Sequence, residues 1–126
     1  GQLNGMLKGF IDLVFEHEGR FHVLDYKSNW LGASDDAYRG ETMQAAVLAH
    51  RYELQYLFYL LALHRLLKVR LPDYDYDRHV GGALYLFLRG SGAPSRGVFA
   101  ARPPRAVIEA LDAAFAGQRP LGADKP

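Results

Sequence analysis

Apolar and polar residues alternate along Gly9-Phe10-Ile11-Asp12-Leu13-Val14-Phe15 and along Phe21-His22-Val23-Leu24-Asp25-Tyr26-Lys27. Both segments are rich in β-branched and aromatic residues, so the pattern predicts two strands. His17-Glu18-Gly19-Arg20 between them carries Gly where a tight hairpin turn needs positive φ. With Glu18-Gly19 as a two-residue loop, counting outward along the strands sets Asp12 opposite Asp25. After a loop, Ser28 to Asp36, the stretch Glu41 to Val69 has neither Gly nor Pro and predicts one long helix. Its second half, Leu54 to Leu67, is apolar nearly all round, which predicts burial against a sheet. Pro72 to Asp77 ends the helix. Gly82 to Leu88 is a continuous apolar run, predicting a central strand covered on both faces.

Gly90 to Gly97 reads as a turn region and Val98 to Ala101 as a short strand. Pro103-Pro104 introduces a closing helix, Arg105 to Ala116, with Gly117 as its cap. The order β-β-α-β-β-α predicts an α/β sandwich. Only Gln2 to Leu7 precede the first strand, so the chain reads as an N-terminally truncated fragment, and residues 118–126 read as a solvated tail.

Composition narrows the function. The chain has 126 residues, enough for one domain or part of one, and 49% are hydrophobic, enough for a real core. The absence of cysteine excludes a disulfide scaffold, a thiolate zinc site and an iron–sulfur cluster, and fits a reducing cytoplasm. No apolar run reaches the roughly 20 residues of a membrane span, and no signal-peptide pattern opens the chain. A net charge of +1 gives no general attraction to nucleic acid. A DNA substrate would need local basic groups or other parts of a larger protein.

The hairpin carries the candidate chemistry. Side chains facing each other across an antiparallel pair lie about 4.5–5.5 Å apart, and like charges there destabilise. The period of two puts Lys27 on the same face as Asp25. Two carboxylates held together beside a lysine make poor packing and a good site for a hard divalent cation such as Mg²⁺. The plainer alternative is a pair of strand-edge aspartates on a solvated face, with Lys27 offsetting their charge.

Gly9-Phe10-Ile11-Asp12 followed by Asp25-Tyr26-Lys27 across a hairpin resembles the core of the PD-(D/E)XK nuclease superfamily. Three longer stretches make the resemblance more specific: Leu24 to Gly32, Ala49 to Tyr56, and Gly81 to Gly90. They are similar to the C-terminal nuclease domain of RecB-type helicase–nuclease subunits (exodeoxyribonuclease V, RecBCD), from about Leu7 to Gly117. The resemblance implies a restriction-endonuclease-like mixed sheet flanked by helices, spanning residues 1–117. It implies Mg²⁺-dependent hydrolysis of DNA phosphodiester bonds, leaving 5′-phosphate and 3′-hydroxyl ends. By position, Asp12 and Asp25 become metal ligands, the Tyr26 backbone carbonyl a further ligand, and Lys27 the catalytic lysine. A Gln-x-x-x-Tyr element of the family matches Gln55 and Tyr59, one helical turn apart, as DNA contacts or support for the site.

The family's upstream metal-binding His has no counterpart among the five His residues here, which implies weaker metal binding and weak or absent cutting by this chain alone. Implied partners are DNA, single-stranded from unwound duplex ends, the RecC and RecD subunits, and RecA, with regulation by Chi sequences in a bacterial cytoplasm. Two rival readings are a degenerate nuclease fold kept for binding or scaffolding, and a stand-alone nuclease of the same superfamily.

Other residues read more plainly. Tyr56 and Phe58 are expected in the core. His50, His64, Arg65, Lys68 and Arg70 suit helix ends and solubility. Trp30 is expected to anchor its loop by packing, and Arg89 could reach phosphate. His17 and His22 receive no function. Asp73, Asp75 and Asp77 lack the Gly and closing Glu of a calcium loop and are expected in a solvated loop.

Overall fold

The computed structural model describes residues 13–117. Strands β1 (Leu13–His17) and β2 (Arg20–Lys27) form an antiparallel hairpin, paired from Leu13 with Leu24 to His17 with Arg20. Glu18 and Gly19 between them have φ of 52° and 81°. Two left-handed central residues make the tight turn whose twist matches that of the flanking strands. The register is the one counted outward from the loop. Asp12 lies outside the described residues.

Strand β3 (Val80–Phe87) runs parallel to β2, with Asp25 beside Tyr85 and Lys27 beside Phe87. Strand β4 (Val98–Ala101) is antiparallel to β3, giving a mixed sheet in the order β1-β2-β3-β4. The parallel β2-to-β3 connection must cross over the sheet. It contains a short 3-10 helix (Asp35–Tyr38) and the helices α1 (Gly40–Ala49), α2 (Tyr52–Arg70) and α3 (Tyr76–His79). Helix α4 (Arg105–Ala114) closes the described chain.

Alternation puts Val23, Asp25 and Lys27 on one face of the sheet with Ala83, Tyr85 and Phe87. Two apolar clusters cover that face. One joins Leu60, Leu63 and Leu67 of α2 to Val14, Val23, Val80, Ala83 and Ile108. The other joins Met43 and Val47 of α1 and Tyr38 to Tyr85 and Phe87. Tyr56 packs against both. On the opposite face Leu84 and Leu86 are only half-buried and Tyr26 is exposed. Cover on both faces of β3 was expected; among the described residues both clusters lie on one.

The expected single helix from Glu41 to Val69 is two helices. Arg51 between them is left-handed, at φ 58° and ψ 32°. His50 N–H donates to Ala46 O and Arg51 N–H to Leu48 O, closing α1, and α2 starts afresh at Tyr52. A left-handed arginine costs about 1–2 kcal/mol. Buried contacts made by Tyr52 and Gln55, described below, offset that cost. Nor is the apolar surface of α2 wholly covered, since Leu54 and Phe58 are exposed. The core role expected for Phe58 is thus not met.

The Pro72–Asp77 segment is exposed at Pro72, Asp73 and Asp77, as expected of a solvated loop, and is anchored by Tyr76. Asp75 caps α3 by accepting from Arg78 N–H, and the buried Tyr76 hydroxyl donates to Pro103 O at 2.6 Å. Asp73, Asp75 and Asp77 face Arg78, Arg102 and Arg105. Arg65 and Lys68, expected to serve the end of their own helix, reach α4 instead. Arg65 Nε donates to Asp112 Oδ1 at 2.6 Å and its Nη2 to Phe115 O at 2.9 Å, satisfying a carbonyl that the end of α4 leaves open.

Candidate active site

Asp25 and Lys27 emerge near the C-terminal end of β2, on the face that the helices cover. Lys27 is 8% exposed. A lysine that deep is tolerated only with partners for its charge. Its Nζ lies 2.9 Å from Asp25 Oδ2 and donates to Gln55 Oε1 at 2.8 Å. The Tyr52 ring lies beneath it, 3.9 Å from Nζ to the centroid, and the Tyr85 ring is 4.7 Å away. Two aromatic faces against a desolvated ammonium add cation–π attraction.

The helix break makes this cage. Restarting at Tyr52 brings its ring over Lys27 and, one turn later, sets Gln55 against Nζ. Tyr85 O–H lies 2.7 Å from Tyr52 O and 2.9 Å from Gln55 Oε1. Burial, then the neighbouring Tyr59 and Asp25, push the Tyr85 phenol far above its ordinary range, so it remains a donor. Two donors, Lys27 and Tyr85, converge on one Gln55 oxygen. That fixes the amide orientation, because the flipped NH₂ would face the ammonium.

A second layer runs outward from Tyr52. Its hydroxyl donates to Asn29 Oδ1 at 3.2 Å, and Asn29 Nδ2 lies 3.4 Å from His50 Nε2. The His50 and Tyr52 rings stack at 5.2 Å. Tyr59, a turn beyond Gln55, is half-buried against the larger cluster. Tyr26 sits between Asp25 and Lys27 with its side chain on the opposite face, so only its backbone is near the pair.

Trp30 departs from expectation. It is 64% exposed rather than packed as an anchor. Arg89 Nε donates to the Ser28 carbonyl at 2.8 Å, which ties the end of β3 to the loop after β2.

Among the described residues, no three His, Cys, Asp or Glu side chains group as a metal site. A hard divalent cation needs only one or two carboxylates, with waters and substrate oxygens completing its shell. Asp25 is a carboxylate of the right chemistry, half-buried and aimed into the covered face of the sheet. The donor set at hand therefore fits such an ion once a second carboxylate joins it.

Sequence reasoning missed Tyr52, Tyr85 and Asn29 as parts of this arrangement. Tyr85 could be found only from the β2–β3 register, and Tyr52 was hidden by the assumption of an unbroken helix.

No helix among the described residues is long and apolar enough to cross a membrane. The chain is 57% identical over 118 residues to the RecB subunit of the RecBCD enzyme of Escherichia coli, covering 92% of this chain and 10% of that protein. Against the Haemophilus influenzae RecB subunit it is 49% identical over 115 residues, covering 90% and 10%. Against that of Mycobacterium tuberculosis it is 44% identical over 119 residues, covering 86% and 11%. The chain thus spans about a tenth of the length of the curated relatives it matches. Residues 2–121 match the PD-(D/E)XK nuclease superfamily, and the chain belongs to that family.

Proposed function

We propose that this chain hydrolyses DNA phosphodiester bonds with Mg²⁺, as the nuclease part of a RecB-like helicase–nuclease of the exodeoxyribonuclease V type. The observation that carries this reading is the caged lysine: Lys27, 8% exposed, held by Asp25 and Gln55 at the end of a strand. Held by these partners, a reacting lysine gains fixed geometry and low local dielectric.

Asp25 and Asp12 hold the ion, with the Tyr26 carbonyl as a further ligand. The bound ion would polarise the scissile phosphate and ease deprotonation of the attacking water. Lys27 stabilises charge on the phosphoryl oxygens or orients that water. Gln55 and Tyr52 hold the ammonium in place, and Tyr59 supports Gln55. The count along the sequence from the Glu18-Gly19 turn pairs Asp12 with Asp25, a like-charge juxtaposition that an ion would relieve. The substrate is single-stranded DNA from unwound duplex ends. Partners are RecC, RecD and RecA, by analogy with the enzyme whose RecB subunit the chain resembles.

The test is Mg²⁺-dependent cleavage of end-labelled linear single-stranded DNA by wild type and Asp25→Asn. Asparagine is preferable to alanine, because it keeps the side chain's size and an acceptor oxygen for Lys27, 2.9 Å from Asp25 Oδ2. Cleavage should fall by roughly 10²–10⁴-fold with the circular dichroism spectrum retained. An Asp25→Asn protein that cuts as fast as wild type would refute the enzymatic reading.

A further inference from the structure

The loop that follows Lys27 is pinned almost residue by residue. The Ser28 carbonyl accepts from Arg89, the Asn29 side chain is held by Tyr52 and His50, and Leu31 N–H donates to the Tyr38 hydroxyl at 3.0 Å. Gly32 sits so close to Ala37 that an added Cβ would meet the alanine Cβ at 2.6 Å. In the middle of this pedestal stands Trp30, 64% exposed. Tryptophan is the largest apolar side chain, and exposing it on a rigid support serves packing poorly and recognition well. The pedestal is joined to the candidate site, because the Asn29 that precedes Trp30 bonds the same Tyr52 whose ring underlies Lys27.

We propose that Trp30 is a stacking platform for an unpaired base of a single-stranded nucleic acid, seated next to the phosphate to be cut. Resting on the nuclease reading, this deepens it by naming how the strand is held. Stacking accepts any base, and only an unpaired base offers its face to an indole at a strand's edge. It also supplies attraction where a net charge of +1 supplies none. Arg89, exposed at Ser28, provides a cation beside the platform for the adjoining phosphate.

Trp30 is the sole tryptophan of the 126-residue chain, so its fluorescence reports the contact directly. The full chain, in EDTA to prevent cutting, is titrated with an oligothymidylate, with an abasic strand of equal length, and with blunt duplex. The oligothymidylate should quench the emission and the other two should not. Anisotropy of a labelled strand should give Trp30→Ala a loss of about 5- to 150-fold in affinity, with Trp30→Phe close to wild type. Equal binding by Trp30→Ala, equal quenching by the abasic strand, or burial of Trp30 in a self-associated chain would each overturn the proposal. Because these readings need no cleavage, they stand apart from the Asp25→Asn assay: lost cutting with unaltered Trp30→Ala binding defeats the platform and leaves the nuclease.

Discussion

At the scale of single residues, the site is organised around one oxygen. Gln55 Oε1 receives both the Lys27 ammonium and the Tyr85 hydroxyl, and Tyr85 also reaches the carbonyl of Tyr52, whose ring lies against the ammonium. Removing that hydroxyl with Tyr85→Phe keeps the ring and takes away the single proton that Tyr52 O and Gln55 Oε1 share, while Lys27 still donates to Gln55. The expected cost is about 1–3 kcal/mol, read as a lower urea midpoint with unchanged slope. A Tyr85→Phe protein as stable as wild type would mean that the hydroxyl does not fix Gln55. Pairing of Asp25 with Lys27 was legible from strand alternation alone, because both the period of two and the turn chemistry are local. The aromatic cage was not, since it depends on which strand lies beside β2.

Between elements, α2 and α4 are clamped by one carboxylate. Asp112 takes Arg65 at 2.6 Å and Lys68 at 3.3 Å, with His64 Nε2 at 3.8 Å. Burial raises the Asp112 pKa, but hydrogen bonds from Arg65 and Lys68 outweigh it and leave the carboxyl below its usual 3.8. His64 is pushed below 6.5, mainly by its own burial, against the opposing pull of Asp112. Tyr74, whose phenol burial keeps protonated, meets His64 Nδ1 at 2.6 Å and so favours the neutral ring.

Both shifts have the same sign for stability. Where the folded pKa is lower, the unfolded chain binds more protons, so stability is complete above the unfolded value and is lost as pH falls. Unfolding free energy should therefore decline below about pH 6.5 through His64 and again below about 3.8 through Asp112. His22, also lowered by burial, adds to the first step. His64→Gln should flatten that first step in pH-dependent urea melts; an unchanged slope would contradict the assignment. The sequence placed His64, Arg65 and Lys68 at a helix end without disclosing that the end they serve belongs to another helix.

Over the whole molecule, the succession of strands and helices along the chain follows from the pattern, while the helix break at Arg51 and the one-sided cover do not. Absence of Gly and Pro argued for continuity, yet an arginine adopts the left-handed turn because Tyr52, Gln55 and Tyr85 draw α2 onto the sheet. Local propensity of about 1–2 kcal/mol yields to a buried polar cluster.

In the proposed site, Asp12 and Asp25 share one divalent ion beside Lys27. Crystals of the full chain soaked in Mn²⁺ and measured for anomalous scattering test it most directly. A single peak bound by both carboxylates is expected on the face of the sheet that carries Lys27. A peak elsewhere, or carboxylates 12 and 25 on opposite faces, would contradict it.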